Sequence, residues 1–146
     1  MIYHQDWDVI ENNTPHPFIT SDNPVSIRPS PDHRVPPVRL VAITPRLAFS
    51  FRATKLEVPR FDPALPPCGQ FTWHSTNAAG AKSINKMIAK CAEELVLCSY
   101  RSEGLASLVA NCARFRMEPE YIEFPAPEPD AIYQGTIIRV REARRP

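Results

Sequence analysis

Leu47, Phe49 and Phe51 alternate with Ala48, Ser50 and Arg52, the cleanest two-residue period in the chain. Such alternation marks a strand that turns one face to a core. Trp7 and Val9 share a face in residues 7–11 and predict an earlier strand. Phe18 and Ile19 both suit a pleated, half-buried surface and lead into Thr20-Ser21-Asp22-Asn23-Pro24. Phe18, Thr20 and Asp22 fall on one face, Ile19 and Ser21 on the other, which predicts an inner strand. The turn cluster Asn12-Asn13-Thr14-Pro15 would join these two strands as a hairpin. Further strands are predicted over residues 25–28, 38–43, 70–73, 96–100, 121–124 and 136–141, and residues 56–58 extend or follow the strand of Leu47.

The period changes after residue 77. Ala81, Ile84, Ile88, Cys91 and Leu95 recur every three or four positions, with Lys82, Lys86 and Glu93 opposite them. This predicts the main amphipathic helix over residues 78–94, and it leaves His74-Ser75-Thr76-Asn77 to supply its N-terminus. Asn85 lies at the edge of the apolar stripe, where a partly buried amide needs partners. A shorter helix starts at Ser102 or Glu103 and runs through Leu105, Leu108, Val109 and Cys112. Strands, helix, strand, helix and strands, in that order, predict an α+β fold. It would be a single domain over residues 1–146 with a mainly antiparallel sheet.

Composition adjusts this picture at one point. The chain of 146 residues holds 17 prolines and only 4 glycines, so its connections are stiff and extended. Residues 29–37, 59–69 and 125–129 are the proline-rich loops. The hydrophobic fraction of 43% and net charge of +1 are those of an ordinary globular protein, and they argue for no strong field toward nucleic acid or membrane. No window is apolar enough for a membrane span, and residues 1–6 lack the basic start and apolar run of a signal peptide. Cys68, Cys91, Cys98 and Cys112 form no Cys-x-x-Cys pair, and Cys91 and Cys112 occupy apolar helix positions. A reduced, cytoplasmic protein without structural zinc is expected.

Chemistry concentrates at residues 20–23. In an enzyme, Asp22 would act as a general base or metal ligand beside Thr20 and Ser21. Asn85 would orient substrate or stabilise an anion, and His74 would add acid–base chemistry, giving a metal-assisted hydrolase or nuclease. In the competing reading, Asn85 bonds the polar turn and the cluster is a clasp between sheet and helix. The clasp is favoured because it satisfies a partly buried amide and fixes the turn in one step; the histidines show no metal-ligand spacing, and none lies within the run beyond His16. Gly69, Gly80, Gly104 and Gly135 are isolated, so no phosphate loop and no cofactor are expected. Lys82, Lys86 and Lys90, with Arg139, Arg141, Arg144 and Arg145, could meet phosphates, but the near-zero net charge and nearby glutamates speak against nucleic acid. The tryptophans and phenylalanines occupy core-like positions.

Several separated fragments fit one pattern: Trp7-Asp8-Val9-Ile10, the run Pro17-Phe18-Ile19-Thr20-Ser21-Asp22-Asn23-Pro24-Val25, Ile43-Thr44-Pro45 with Leu47-Ala48-Phe49, Ile84-Asn85, and Val96-Leu97-Cys98-Ser99. Over about residues 7–99 this order resembles the C-terminal portion of a largely bacterial family, domain of unknown function 4238. The resemblance brings no established activity. It implies an absent N-terminal helical region, because Met1 precedes Trp7 by so little. From this we expect a non-catalytic or accessory binding or assembly domain. An apolar surface left by that region would serve a homo-oligomer or a protein partner.

Overall fold

A computed structural model describes residues 5–28, 37–53, 71–100, 102–125 and 132–142. Residues 29–36 of the predicted loop 29–37, the predicted loop 59–69, residues 56–58 and most of the connector 125–129 lie outside the described residues, as do Cys68, Arg144 and Arg145.

Nine strands and two helices are described. They are β1 (Gln5–Asn12), β2 (Thr20–Ser21), β3 (Ser26–Arg28), β4 (Val38–Thr44), β5 (Leu47–Ala53), β6 (Phe71–Thr76), α1 (Ala78–Cys91), β7 (Val96–Leu97), α2 (Glu103–Cys112), β8 (Phe115–Pro125) and β9 (Ile132–Glu142). The main sheet has the order β3-β4-β5-β1-β6. Its pairings are antiparallel except β1 with β6, which is parallel. β2 and β7 make a small antiparallel ribbon, and β8 and β9 a long one. The fold is α+β with a mainly antiparallel sheet, as the element order predicts.

Two pairings differ from the sequence reading. β1 forms no hairpin with the segment after it; it lies between β5 and β6. Phe18 and Ile19 precede β2 rather than belonging to it, yet both are almost fully buried. Their backbone partners come from elsewhere: the Phe18 N–H donates to the Pro45 carbonyl (2.9 Å) and the Ile19 N–H to Asn85 Oδ1 (3.1 Å). An extended segment satisfied by a turn and a side chain has strand composition without being in a ladder. The predicted strand 96–100 shrinks to β7 and joins β2 instead of the main sheet.

α1 covers one face of the main sheet. Leu40 and Ala48 from the sheet meet Ala81, Ile88 and Ala89 from α1, and Cys112 of α2 closes the cluster with Phe18 and Ile19. Ile10 and Ala42 flank it from the sheet side. Small residues at 42, 48 and 50 let the helix approach the sheet closely. Asn77 caps α1, its Oδ1 accepting the Gly80 N–H at 2.9 Å, and Ser102 caps α2 by accepting the Leu105 N–H at 3.1 Å.

The helix face therefore selects Ala48 and Ser50, and Leu47, Phe49 and Phe51 point away from it. This corrects the expectation that the aromatic residues are core. Phe18 is core; Trp7, Phe49 and Phe51 are half-buried, and Phe71 and Trp73 are 66% and 69% exposed. Leu95, expected on the helical stripe, lies beyond the end of α1 and is exposed.

Candidate functional site

Asn85 sits one turn past Ala81 on the buried side of α1 and is 5% exposed. Its Oδ1 accepts the Ile19 N–H, and its Nδ2 donates to the Pro17 carbonyl at 2.9 Å. One amide thus satisfies two main-chain groups that no strand pairs. Asp22 grips the chain just past the C-terminal end of the same helix. Its Oδ1 accepts the Asn23 and Glu93 N–H groups, each at 3.1 Å, and its Oδ2 accepts the Glu94 N–H at 2.8 Å. The Asp22 N–H in turn donates to the Leu95 carbonyl at 3.1 Å. The Glu94 N–H bond is the main cause that holds the Asp22 carboxyl below its usual range, followed by burial acting the opposite way and by the other backbone donors.

The Ser21 hydroxyl donates to the Asn23 carbonyl at 2.7 Å, which closes the turn. Thr20 is half-buried beside a cavity of about 150 Å³ bounded by Ile43, Pro45 and Leu97. The structure thus places Thr20 and Ser21 in β2, with Asp22 in the bend that follows. It brings Asn85 to the segment leading into that turn rather than to the turn itself.

His74 is elsewhere. It lies within β6, not at the helix N-terminus, because the strand runs on to Thr76 and Asn77 takes the capping role. Its Nε2 meets Asp8 Oδ1 of β1 at 2.9 Å, with both side chains about half exposed. Among the described residues, no three His, Cys, Asp or Glu groups come together as metal ligands.

A second polar anchor escaped the sequence reading. Asn12, fully buried, donates from Nδ2 to the His16 carbonyl (2.8 Å) and accepts the Thr14 N–H (3.0 Å) and hydroxyl (2.7 Å) on Oδ1. Arg46 then clamps the Asn12 and Thr14 carbonyls at 3.1 and 2.7 Å. Asn followed two residues later by Thr is the signal for such an Asx turn.

The larger surface feature is the sheet face opposite α1. Two rows of side chains cross it in register: Phe51, Trp7 and Phe71, then Phe49, Val9 and Trp73. Trp7 stacks on Phe51 with centroids 4.9 Å apart, lies 6.0 Å from Phe71 at a shallow angle, and meets Phe49 edge-on at 6.5 Å. Val9, between Phe49 and Trp73, is buried. The rows end at β6, which is the edge of the main sheet and, among the described residues, has no strand on its outer side. Every β6 residue from Phe71 to Ser75 is exposed. The strand carries no lysine, proline or acidic residue, the usual protections of an edge.

Comparison with known proteins adds a family. Residues 1–102 match the family model described as "Protein of unknown function (DUF4238)". No curated protein and no solved structure matches the chain.

Proposed function

Because the chain belongs to the DUF4238 family, whose description carries no activity, we propose a function read from its own surfaces: a non-catalytic assembly domain that pairs with a second copy of itself through β6. The observation that carries this reading is the aromatic face ending at an edge strand with no strand outside it among the described residues, with Phe71 and Trp73 about two-thirds exposed. Exposed apolar patches of this kind mark interaction surfaces. An antiparallel pairing of β6 with its copy is isologous, so one patch serves both partners. It would supply the missing ladder hydrogen bonds and bring Phe71 and Trp73 of each copy against the other's aromatic rows.

The polar turn supports the same reading from the other side. Both Asp22 oxygens receive backbone N–H groups, and Asn85 is committed to Pro17 and Ile19. These bonds support a structural clasp that ties α1 and the residues after it to residues 17–22.

Light scattering over a concentration series tests the proposal. The wild-type chain is expected to dimerise with rising concentration, and Trp73→Lys to remain monomeric while keeping its circular dichroism spectrum. A wild-type chain that stays monomeric throughout sinks it.

A further inference from the structure

A cleft runs along the side of α1 where the helix meets β3 and β4, with Val38 and Leu40 buried at its floor. The cleft has a volume of about 510 Å³, within the range of small-molecule sites. Its sheet wall is Val38 and Leu40, and its helix wall is Ile84 and Met87. Ser83, an exposed residue that also lines the cleft, is small and leaves it open. Met87 supplies an unbranched, adaptable wall.

Among the described residues the rim carries cations. Arg28 from β3 and Lys86 from α1 border the cleft, and no aspartate or glutamate is among the described residues that line it. Both cations are exposed, and neither has an ion-pair partner among the described residues. Lys90, one turn after Lys86, also borders the cleft. Its Nζ lies 4.0 Å from the Phe115 ring centroid, which fixes that side chain at the rim. An apolar trough under exposed cations is complementary to a molecule with an anionic head and an apolar body.

We propose that this cleft binds an aliphatic carboxylate, with the tail along Leu40, Ile84 and Met87 and the head between Arg28 and Lys86. A guanidinium presents paired N–H donors that match a carboxylate, and an ammonium adds a point charge from the opposite wall. Burial of each tail methylene adds to affinity, and the head sets the specificity. The site lies on the helix side of the sheet, independent of the β6 edge.

Isothermal titration calorimetry with decanoate, decanol and decylamine, below their aggregation ranges, tests this. Decanoate is expected to bind saturably at one site, and decanol about ten-fold more weakly for loss of the charged contacts. Decylamine is expected not to bind. The double variant Arg28→Gln/Lys86→Gln alters exposed residues and should lower decanoate affinity to the level of decanol. Ser83→Leu, which fills the trough from an exposed helix position, should abolish binding of both. Absence of saturable decanoate heat overturns the proposal. So does equal binding of decanoate and decylamine, or an unchanged affinity in the double variant.

Discussion

The Asn85 carboxamide bonds the main chain on both sides of Phe18, accepting from the Ile19 N–H and donating to the Pro17 carbonyl. The residue between is itself buried, so helix, amide and aromatic ring fix this segment together. Water does not reach this amide freely, and a substitution that deletes it leaves a donor and an acceptor of the backbone unsatisfied.

Asn85→Ala is therefore expected to lower unfolding free energy by roughly 2–4 kcal/mol, the cost of two orphaned buried groups plus lost packing. Asn85→Asp keeps the acceptor for Ile19 but turns an oxygen toward the Pro17 carbonyl. It should be more damaging at neutral pH, where the carboxyl ionises, than near pH 4. Urea denaturation at the two pH values checks both. Equal stability of wild type and Asn85→Ala would dismiss the clasp.

Asp22 gives the clasp a pH signature. Its folded pKa is depressed, chiefly by the Glu94 N–H, so its stabilising contribution is fully present above the unfolded carboxyl value of about 4. That contribution is lost as pH falls through the depressed folded value. Asp22→Asn cannot ionise and keeps only one oxygen acceptor. The variant should be less stable than wild type at neutral pH, and the gap should narrow in acid. Thermal melts at pH 7 and pH 3 measure this, and a gap that widens in acid would contradict the assignment.

The fold class and both helices were legible because their signals are local. The stripe of Ala81, Ile84, Ile88 and Cys91 and the caps Asn77 and Ser102 lie within a few residues of what they specify. The end of α1 was not legible. The pattern continues to Leu95, but Ala92 turns extended at ψ 137°, and Asp22 takes the next N–H groups from 71 and 72 residues away. The aromatic face was misread for a different reason. Alternation separates Phe49 and Phe51 from Ala48 and Ser50 but does not say which set meets the helix. Close approach of α1 favours the small residues, and this follows only from the tertiary packing. Asn85 bonds Pro17 and Ile19, ahead of the polar turn expected to receive it, and Asp22 bonds the main chain after α1. His74 was misplaced because the capping role falls to Asn77, three residues on.

The two tryptophans should report the aromatic face separately. Trp7 is half-buried in its stack with Phe51, whereas Trp73 is 69% exposed. Trp7→Phe leaves Trp73 as sole emitter, and its fluorescence should be red-shifted and readily quenched by acrylamide at low protein concentration. Trp73→Phe leaves Trp7, with bluer and more protected emission. If β6 pairs with its copy, quenching of the Trp7→Phe protein should weaken as concentration rises. Quenching that is the same at every concentration would contradict pairing at β6.

Cys91 joins the end of α1 to the edge strand β3, its Sγ accepting the Ile27 N–H at 3.3 Å and facing the Ile27 carbonyl at 3.8 Å. Burial pushes its thiol above the usual value and outweighs the Ile27 bond that acts the other way. Burial also raises Cys112, while Cys98 is exposed. Native-state alkylation followed by peptide mapping should thus modify Cys98 well before Cys91 or Cys112. The raised thiol also sets an alkaline limit. Its contribution to stability is present below the unfolded thiol value of about 8.5 and lost as pH rises through the folded value. Cys91→Ala should be less stable than wild type at pH 7, and should lose less on going to pH 10, in chemical denaturation with reductant present. Early modification of Cys91 in the folded chain, or an alkaline loss equal in the two proteins, would show that the thiol is not sealed between α1 and β3.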